Sequence, residues 1–121
     1  MLKPVPSGNA HYERDSRSVP VHAGLPDGVY VYVVDKAGTI WVLPDEHAHQ
    51  HVKILGGTAP VQYAGDMEIS QGMIKSVTNC SGTFQFNDHE GLNEVVKRLV
   101  GMGFLFPTDH TAVHFFFWGV D

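Results

Sequence analysis

The segment "VYVYVVDKAGTIWVL" constrains the fold more than any other part of the chain. Residues 29–34 set Val29, Val31 and Val33 on one side of an extended backbone and Tyr30, Tyr32 and Val34 on the other. A strand apolar on both sides belongs inside a sheet that is covered on both faces. Residues 39–43 are again β-branched and aromatic, and Asp35-Lys36-Ala37-Gly38 between the runs reads as a turn, so the two form a β-hairpin. "APVQYAGDMEI" and "GMIKSVTN" read as two more strands, with Ser70-Gln71-Gly72 as the tight connection of a second hairpin. "HVKIL" alternates, with Val52 and Ile54 opposite His51 and Lys53, as a strand wet on one face does. The closing run "TAVHFFFWGV" alternates Val113, Phe115 and Phe117 with His114, Phe116 and Trp118. It is expected inside the sheet, because so aromatic an edge would invite pairing with other chains.

One stretch has the period of a helix. In "NDHEGLNEVVKRLVGMGF" the apolar residues Leu92, Val95, Val96, Leu99 and Val100 recur at i, i+3, i+4, i+7 and i+8. Asn87 with Glu90 three residues later predicts a capping box, and Gly101 and Gly103 predict the stop. The expected fold class is α+β: a mainly antiparallel curved sheet of about six strands with one amphipathic helix near residues 88–101. A sandwich or small barrel carrying that helix is the alternative.

At 121 residues and 43% hydrophobic, the chain has material for one core. Residues 28–121 are expected to form a single β-rich domain. Residues 1–27, punctuated by Pro4, Pro6, Ser7, Gly8, Pro20, Gly24 and Pro26, read as a leader or extended wrap, or as a lid closing Tyr12, Arg14 and His22 over a site. Eight Lys+Arg against 13 Asp+Glu leave a net charge of -5 and no broad basic surface for a phosphate backbone. A small molecule or a protein, rather than nucleic acid, is the expected partner. No run approaches the roughly 18 apolar residues of a membrane span, and the first residues lack a signal-peptide core. The expected location is the cytoplasm, or outside the cell by a route without a signal peptide. Cys80 is alone, so no intrachain disulfide forms, and a lone thiol reads as a small buried hydrophobe before a nucleophile.

Chemistry concentrates in "PDEHAHQHVKILGG". On an extended chain His47, His49 and His51 share one face, about 6.5 to 7 Å apart at the backbone, close enough for His47 and His49 to hold one Zn²⁺ or similar ion. Further ligands would have to come from Asp66, Glu68, His89, His110 or His114. The cupin pattern, which also begins with an HxH pair, continues with a Glu and a Gly-Pro-Gly-His element that this chain lacks. The reading without a cofactor is a row of solvated or ligand-facing imidazoles. Asp66 and Glu68, two apart on one strand, point the same way as an acid and base would, or as plain surface carboxylates. Asn79-Cys80-Ser81-Gly82-Thr83 presents either backbone N–H groups to an anion or a simple Asx or Ser turn. Gly56-Gly57 and Ala64-Gly65 mark turns or places of close backbone approach.

Residues 51–86, "HVKILGGTAPVQYAGDMEISQGMIKSVTNCSGTFQF", resemble a domain found in the C-terminal parts of bacterial toxin-like proteins and in plant calmodulin-binding proteins with IQ motifs. That domain runs His-Ser-Ser-Phe-Leu, a glycine pair, Val, Ala-Gly-Glu, an apolar hairpin with a central Gly, and Asn-x-Ser-Gly-His-Tyr-x-Pro. His51 falls on the leading histidine and Gly56 and Gly57 on the glycine pair. Val61, Ala64, Gly65 and Asp66 fall on the Val and the Ala-Gly-Glu, and Asn79, Ser81, Gly82 and Phe84 on the last element. Val52 and Lys53 replace the two serines, Thr83 the histidine, and Phe86 the proline. The resemblance implies a mainly β scaffold in a toxin, effector or defence setting, and any chemistry resting on the replaced polar side chains is lost here.

Two functional classes follow. The first is a recognition domain that binds a small molecule or protein through His47, His49, His51 and Lys53 and the loops at Gly56, Gly57, Asn79, Ser81, Gly82 and Thr83. The second is a small toxin enzyme, a transferase or His-dependent hydrolase, with metal assistance or without, using His51 with Asp66 or Glu68.

Overall fold

The computed structural model describes residues 15–45, 54–55, 61–79, 88–107 and 112–115. Among these, the strands are β1 (Val19–Pro20), β2 (Gly28–Asp35), β3 (Ile40–Pro44), β4 (Val61–Ser70), β5 (Met73–Thr78) and β6 (Val113–His114), and the long helix is α1 (His89–Gly101). The strands form one open sheet in the order β1-β3-β2-β4-β5-β6. Every neighbouring pair is antiparallel except β5 with β6. The fold is α+β with a single sheet that does not close into a barrel. No helix among the described residues is long and apolar enough to cross a membrane.

Both expected hairpins form. β2 pairs with β3 on one edge and with β4 on the other, and its residues 30–34 are buried on both faces. Directly opposed residues share a face in an antiparallel ladder. Tyr30, Tyr32 and Val34 thus lie with Val42 and Ile40 of β3 and with Met67, Gly65 and Tyr63 of β4, and Val31 and Val33 lie with Leu43 and Trp41 and with Asp66 and Ala64. α1 covers the tyrosine face with its buried residues Leu92, Val95 and Leu99, so closely that a Cβ on Gly91 would strike the Tyr63 ring. The buried apolar residues make one continuous cluster, which also takes in Val21 ahead of the first hairpin. There β1 pairs with β3, and the Val21 N–H donates to the Ile40 carbonyl at 2.8 Å.

The second hairpin turns at Gln71 and Gly72, both with positive φ (52° and 76°), as a two-residue type I′ turn requires. Gln71, the residue for which that conformation is unfavourable, donates its N–H to Asp27 Oδ1 at 2.7 Å. At the other end of β5 the chain passes over Gly65, where a Cβ would collide with the Thr78 carbonyl. That carbonyl accepts the buried Tyr32 hydroxyl at 2.7 Å, while Thr78 Oγ1 donates to Asp66 Oδ1 at 2.9 Å. The close-approach reading of Gly65 is therefore the correct one.

α1 begins one residue later than the predicted cap. Asp88, not Asn87, is the N-cap, accepting from the Gly91 N–H at 2.9 Å. A carboxylate at that position bonds the third helical N–H and also meets the positive end of the helix dipole. The stop is a Schellman arrangement: Phe104 N–H donates to Leu99 O, Gly103 N–H to Val100 O, and Gly103 takes φ 96°. Val100, counted in the apolar stripe, is 56% exposed in the last turn.

Two strand expectations are corrected. Ile54 is fully buried, as a strand's inward residue would be, but Ile54 and Leu55 are helical; the rest of "HVKIL" lies outside the described residues. Among the described residues the closing run, expected inside the sheet, enters it as the edge strand β6, parallel to β5 through Val77↔Val113 and Thr78↔His114. A parallel partner requires a crossover, and α1 supplies it, returning the chain to the open side of β5 after the inner positions are filled. Phe115 stacks on His89 of the helix at 3.8 Å between ring centroids.

Gly65→Ala is expected to cost about 1–3 kcal/mol in urea denaturation, the usual range for overpacking. Gly101→Ala, at an open site with ordinary φ, is expected to be neutral or stabilising by up to about 1 kcal/mol in the same measurement.

Candidate functional site

The turn of the first hairpin is organised by one side chain. Asp35 Oδ1 accepts from the N–H groups of Ala37 and Thr39, each at 2.9 Å, and Oδ2 accepts from Trp41 Nε1 at 3.0 Å. Its backbone N–H donates to Thr39 O, and its carbonyl accepts from Gly38 N. The turn is then tied to two distant elements. β4 carries an extra residue where Val34 and Asp35 pair with Tyr63 and Val61, and that residue, Gln62, donates Nε2 to the carbonyls of Asp35 and Lys36, both at 3.0 Å. From α1, Arg98 Nη1 donates to Gly38 O at 2.7 Å. Gly38 has φ 92° and no Cβ, and a Cβ would stand 2.5 Å from that guanidinium nitrogen.

Between these ties lies a cleft of about 230 Å³, bounded by Val34, Gln62 and Tyr63 of the sheet and by Asp88, Glu90, Gly91, Glu94, Val95 and Arg98 of the helix and its cap. Val34, Val95 and the Tyr63 ring give it an apolar lining, and the polar groups stand around them. Tyr63 donates its hydroxyl to Asp88 O at 2.9 Å, which fixes the helix start against β4. Burial, and after it the Asp88 carboxylate, pushes the Tyr63 hydroxyl well above its ordinary pKa. The Asp88 carboxylate is engaged in capping, and Arg98 in the turn. Glu90 and Glu94 have no hydrogen-bond or ion-pair partner among the described residues.

The residues singled out in the sequence are distributed otherwise. His47, His49, His51, Lys53, Gly56, Gly57, Ser81, Gly82 and Thr83 lie outside the described residues. Asn79 is fully buried at the end of β5, beside the Gly65 crossing, and so is no exposed loop residue. Asp66 and Glu68 do share a face, but it is the face opposite α1: Asp66 is bound to Thr78, Glu68 is exposed, and neither borders the cleft. Among the described residues no group of three or more His, Cys, Asp or Glu is placed to hold a metal ion. The cleft itself left one trace in the sequence, the spacing of four that puts Glu90, Glu94 and Arg98 on one helix face. The bulge at Gln62 left none.

No protein-family model, curated protein or solved structure matches the chain. The chemistry of the site is accordingly argued from its own geometry.

Tyr32 resembles Tyr63 in this respect: burial, then Tyr63 and Asp66, raise its hydroxyl pKa as well. Both groups hold their protons more tightly folded than unfolded. Each thus contributes stability that is whole below about pH 10, the unfolded-chain value, and is lost as pH rises from there through the folded-state value. Tyr63→Phe is expected to cost about 0.5–1.5 kcal/mol near pH 8 through its lost hydrogen bond. Between about pH 9 and pH 11 its stability, followed by urea denaturation, should fall less than that of the parent protein.

Proposed function

We propose that this protein is a small recognition domain and that the α1 cleft is one of its binding sites. The observation that carries the reading is the cleft's construction. Its walls come from β2, β4 and α1, and they are braced by Gln62, Arg98 and Tyr63 through hydrogen bonds to backbone carbonyls. A hollow held open in this way gives up little ordering entropy when it is filled. Its volume, about 230 Å³, is below the roughly 300–1,000 Å³ of drug-sized sites and suits one side chain or a very small molecule.

The resemblance over residues 51–86 supports a toxin, effector or defence setting for such a domain. Within the same reading, the imidazoles of His47, His49 and His51, with Lys53, Gly56, Gly57, Ser81, Gly82 and Thr83, contribute a further binding face. The recognition reading is preferred to an enzyme built on His51 with Asp66 or Glu68, because Asp66 is held by Thr78 and both carboxylates stand away from the cleft.

The test is a titration of the ¹⁵N-labelled protein with a set of small fragments, followed through the amide signals of Tyr63, Gly91 and Val95. Saturable shifts at those amides are expected, and they should vanish in Glu94→Trp, which fills the cleft from an exposed helix position. Sustained turnover of a substrate by the purified protein, abolished in His51→Ala, would instead establish the enzymatic reading.

A further inference from the structure

We infer that the junction of Asp27 and Gly28 is a site of spontaneous isoaspartate formation, and that the isomer releases the tie between the segment ahead of β2 and the second hairpin. No other aspartate or asparagine in the chain precedes a glycine. The reaction needs only solvent. The Gly28 nitrogen attacks Asp27 Cγ, an N–Cγ bond forms, a Cγ–O bond breaks, and the oxygen leaves as water with the amide proton and one proton from solvent. The product is a five-membered succinimide. Water then adds to one of its two carbonyls and breaks that carbonyl's bond to nitrogen, which takes the proton. Opening at the former backbone carbonyl leaves the chain running through Cγ, with a free carboxylate on Cα.

The fold leaves this junction open. Asp27 is exposed, and among the described residues only its Oδ1 accepts a hydrogen bond, from the Gln71 N–H at 2.7 Å. Gly28 has no side chain to shield its nitrogen, and even a Cβ there would meet nothing closer than the Tyr30 ring at 3.9 Å. As the first residue of β2 it lies at a ladder end, where local opening costs least. The consequence follows from what Asp27 holds. It is the acceptor for Gln71, whose positive φ makes the turn between β4 and β5. One residue back, the Pro26 carbonyl accepts the Tyr30 hydroxyl at 2.7 Å. In the isomer the backbone between Pro26 and β2 gains a carbon and the side chain loses one, so the carboxylate is drawn back from Gln71.

The intact protein is kept warm at neutral pH in H₂¹⁸O beside a sample unfolded in urea. Both are digested and mapped by mass spectrometry, and isoaspartate is labelled by an isoaspartate-specific methyltransferase with S-adenosylmethionine. In the folded protein isoaspartate is expected at position 27, carrying solvent ¹⁸O, before it appears at any other aspartate. Asp27→Glu keeps a carboxylate at this exposed position but would need a less favoured six-membered ring, and should show no isomer there. In the aged protein the Gln71 amide should exchange with solvent about two- to tenfold faster than in the fresh protein, the effect of one lost hydrogen bond. Isomer at position 27 in urea but none in the folded protein would overturn the assignment, as would earlier isomerisation at another aspartate of the folded chain. Isomer at position 27 with unchanged exchange at Gln71 would overturn the release of the hairpin.

Discussion

Burial of β2 on both faces is the constraint from which the rest of the structure follows. A strand with valines on one side and tyrosines on the other leaves no face to water, so both its edges must be hydrogen-bonded within the protein and both its surfaces covered. The edges are taken by β3 and β4. Covering the tyrosine face raises a second demand, since each buried hydroxyl needs an acceptor. Tyr30 donates to Pro26 O, Tyr32 to Thr78 O and, from β4, Tyr63 to Asp88 O. Each hydroxyl thus fastens a different peripheral segment to the sheet: the approach to β2, the end of β5 and the start of α1. The tyrosines supply core volume and also fix where the surrounding chain may run.

This dependence explains which parts of the fold were legible in the sequence. The hairpins were readable because apolar alternation and turn residues are local signals, and Asp35 to Gly38 and Gln71-Gly72 lie where those signals put them. The helix was readable from the spacing of Leu92, Val95 and Leu99. β6 was misplaced because the aromatic character of "HFFFW" reports burial without saying against what. In the fold Phe115 finds His89 of the helix, and the described strand needs to be only two residues long. Ile54 shows the same ambiguity, since a short apolar run is buried equally well as strand or helix.

The site was less legible, for a different reason. Histidines and glycine pairs attract attention as residue types, whereas the cleft is made by where ordinary residues are sent. Gln62 reaches the turn only because β4 has one residue more than β2 at that point, a mismatch of register that exists only once the strands are paired. Gly65 carried a usable signal, as glycine inside a strand marks close approach, and the carbonyl of Thr78 is what approaches. Asn79 carried the opposite lesson: a residue typical of polar loops is fully buried here.

Arg98 shows how the demands of the fold shape the cleft. Bonded to a carbonyl sixty residues away, it joins the far end of α1 to the first hairpin in a region where few other contacts cross. The bond is possible because Gly38 takes a positive φ and has no side chain, and that conformation is in turn imposed by the Asp35 turn. Had Arg98 paired with Glu94, the turn carbonyl would be left to water. Its engagement with the turn leaves Glu90 and Glu94 without a hydrogen-bonded partner among the described residues, at the border of a cleft that Arg98 also lines. The same bond that fastens the hairpin to the helix thus also fixes one wall of the cleft.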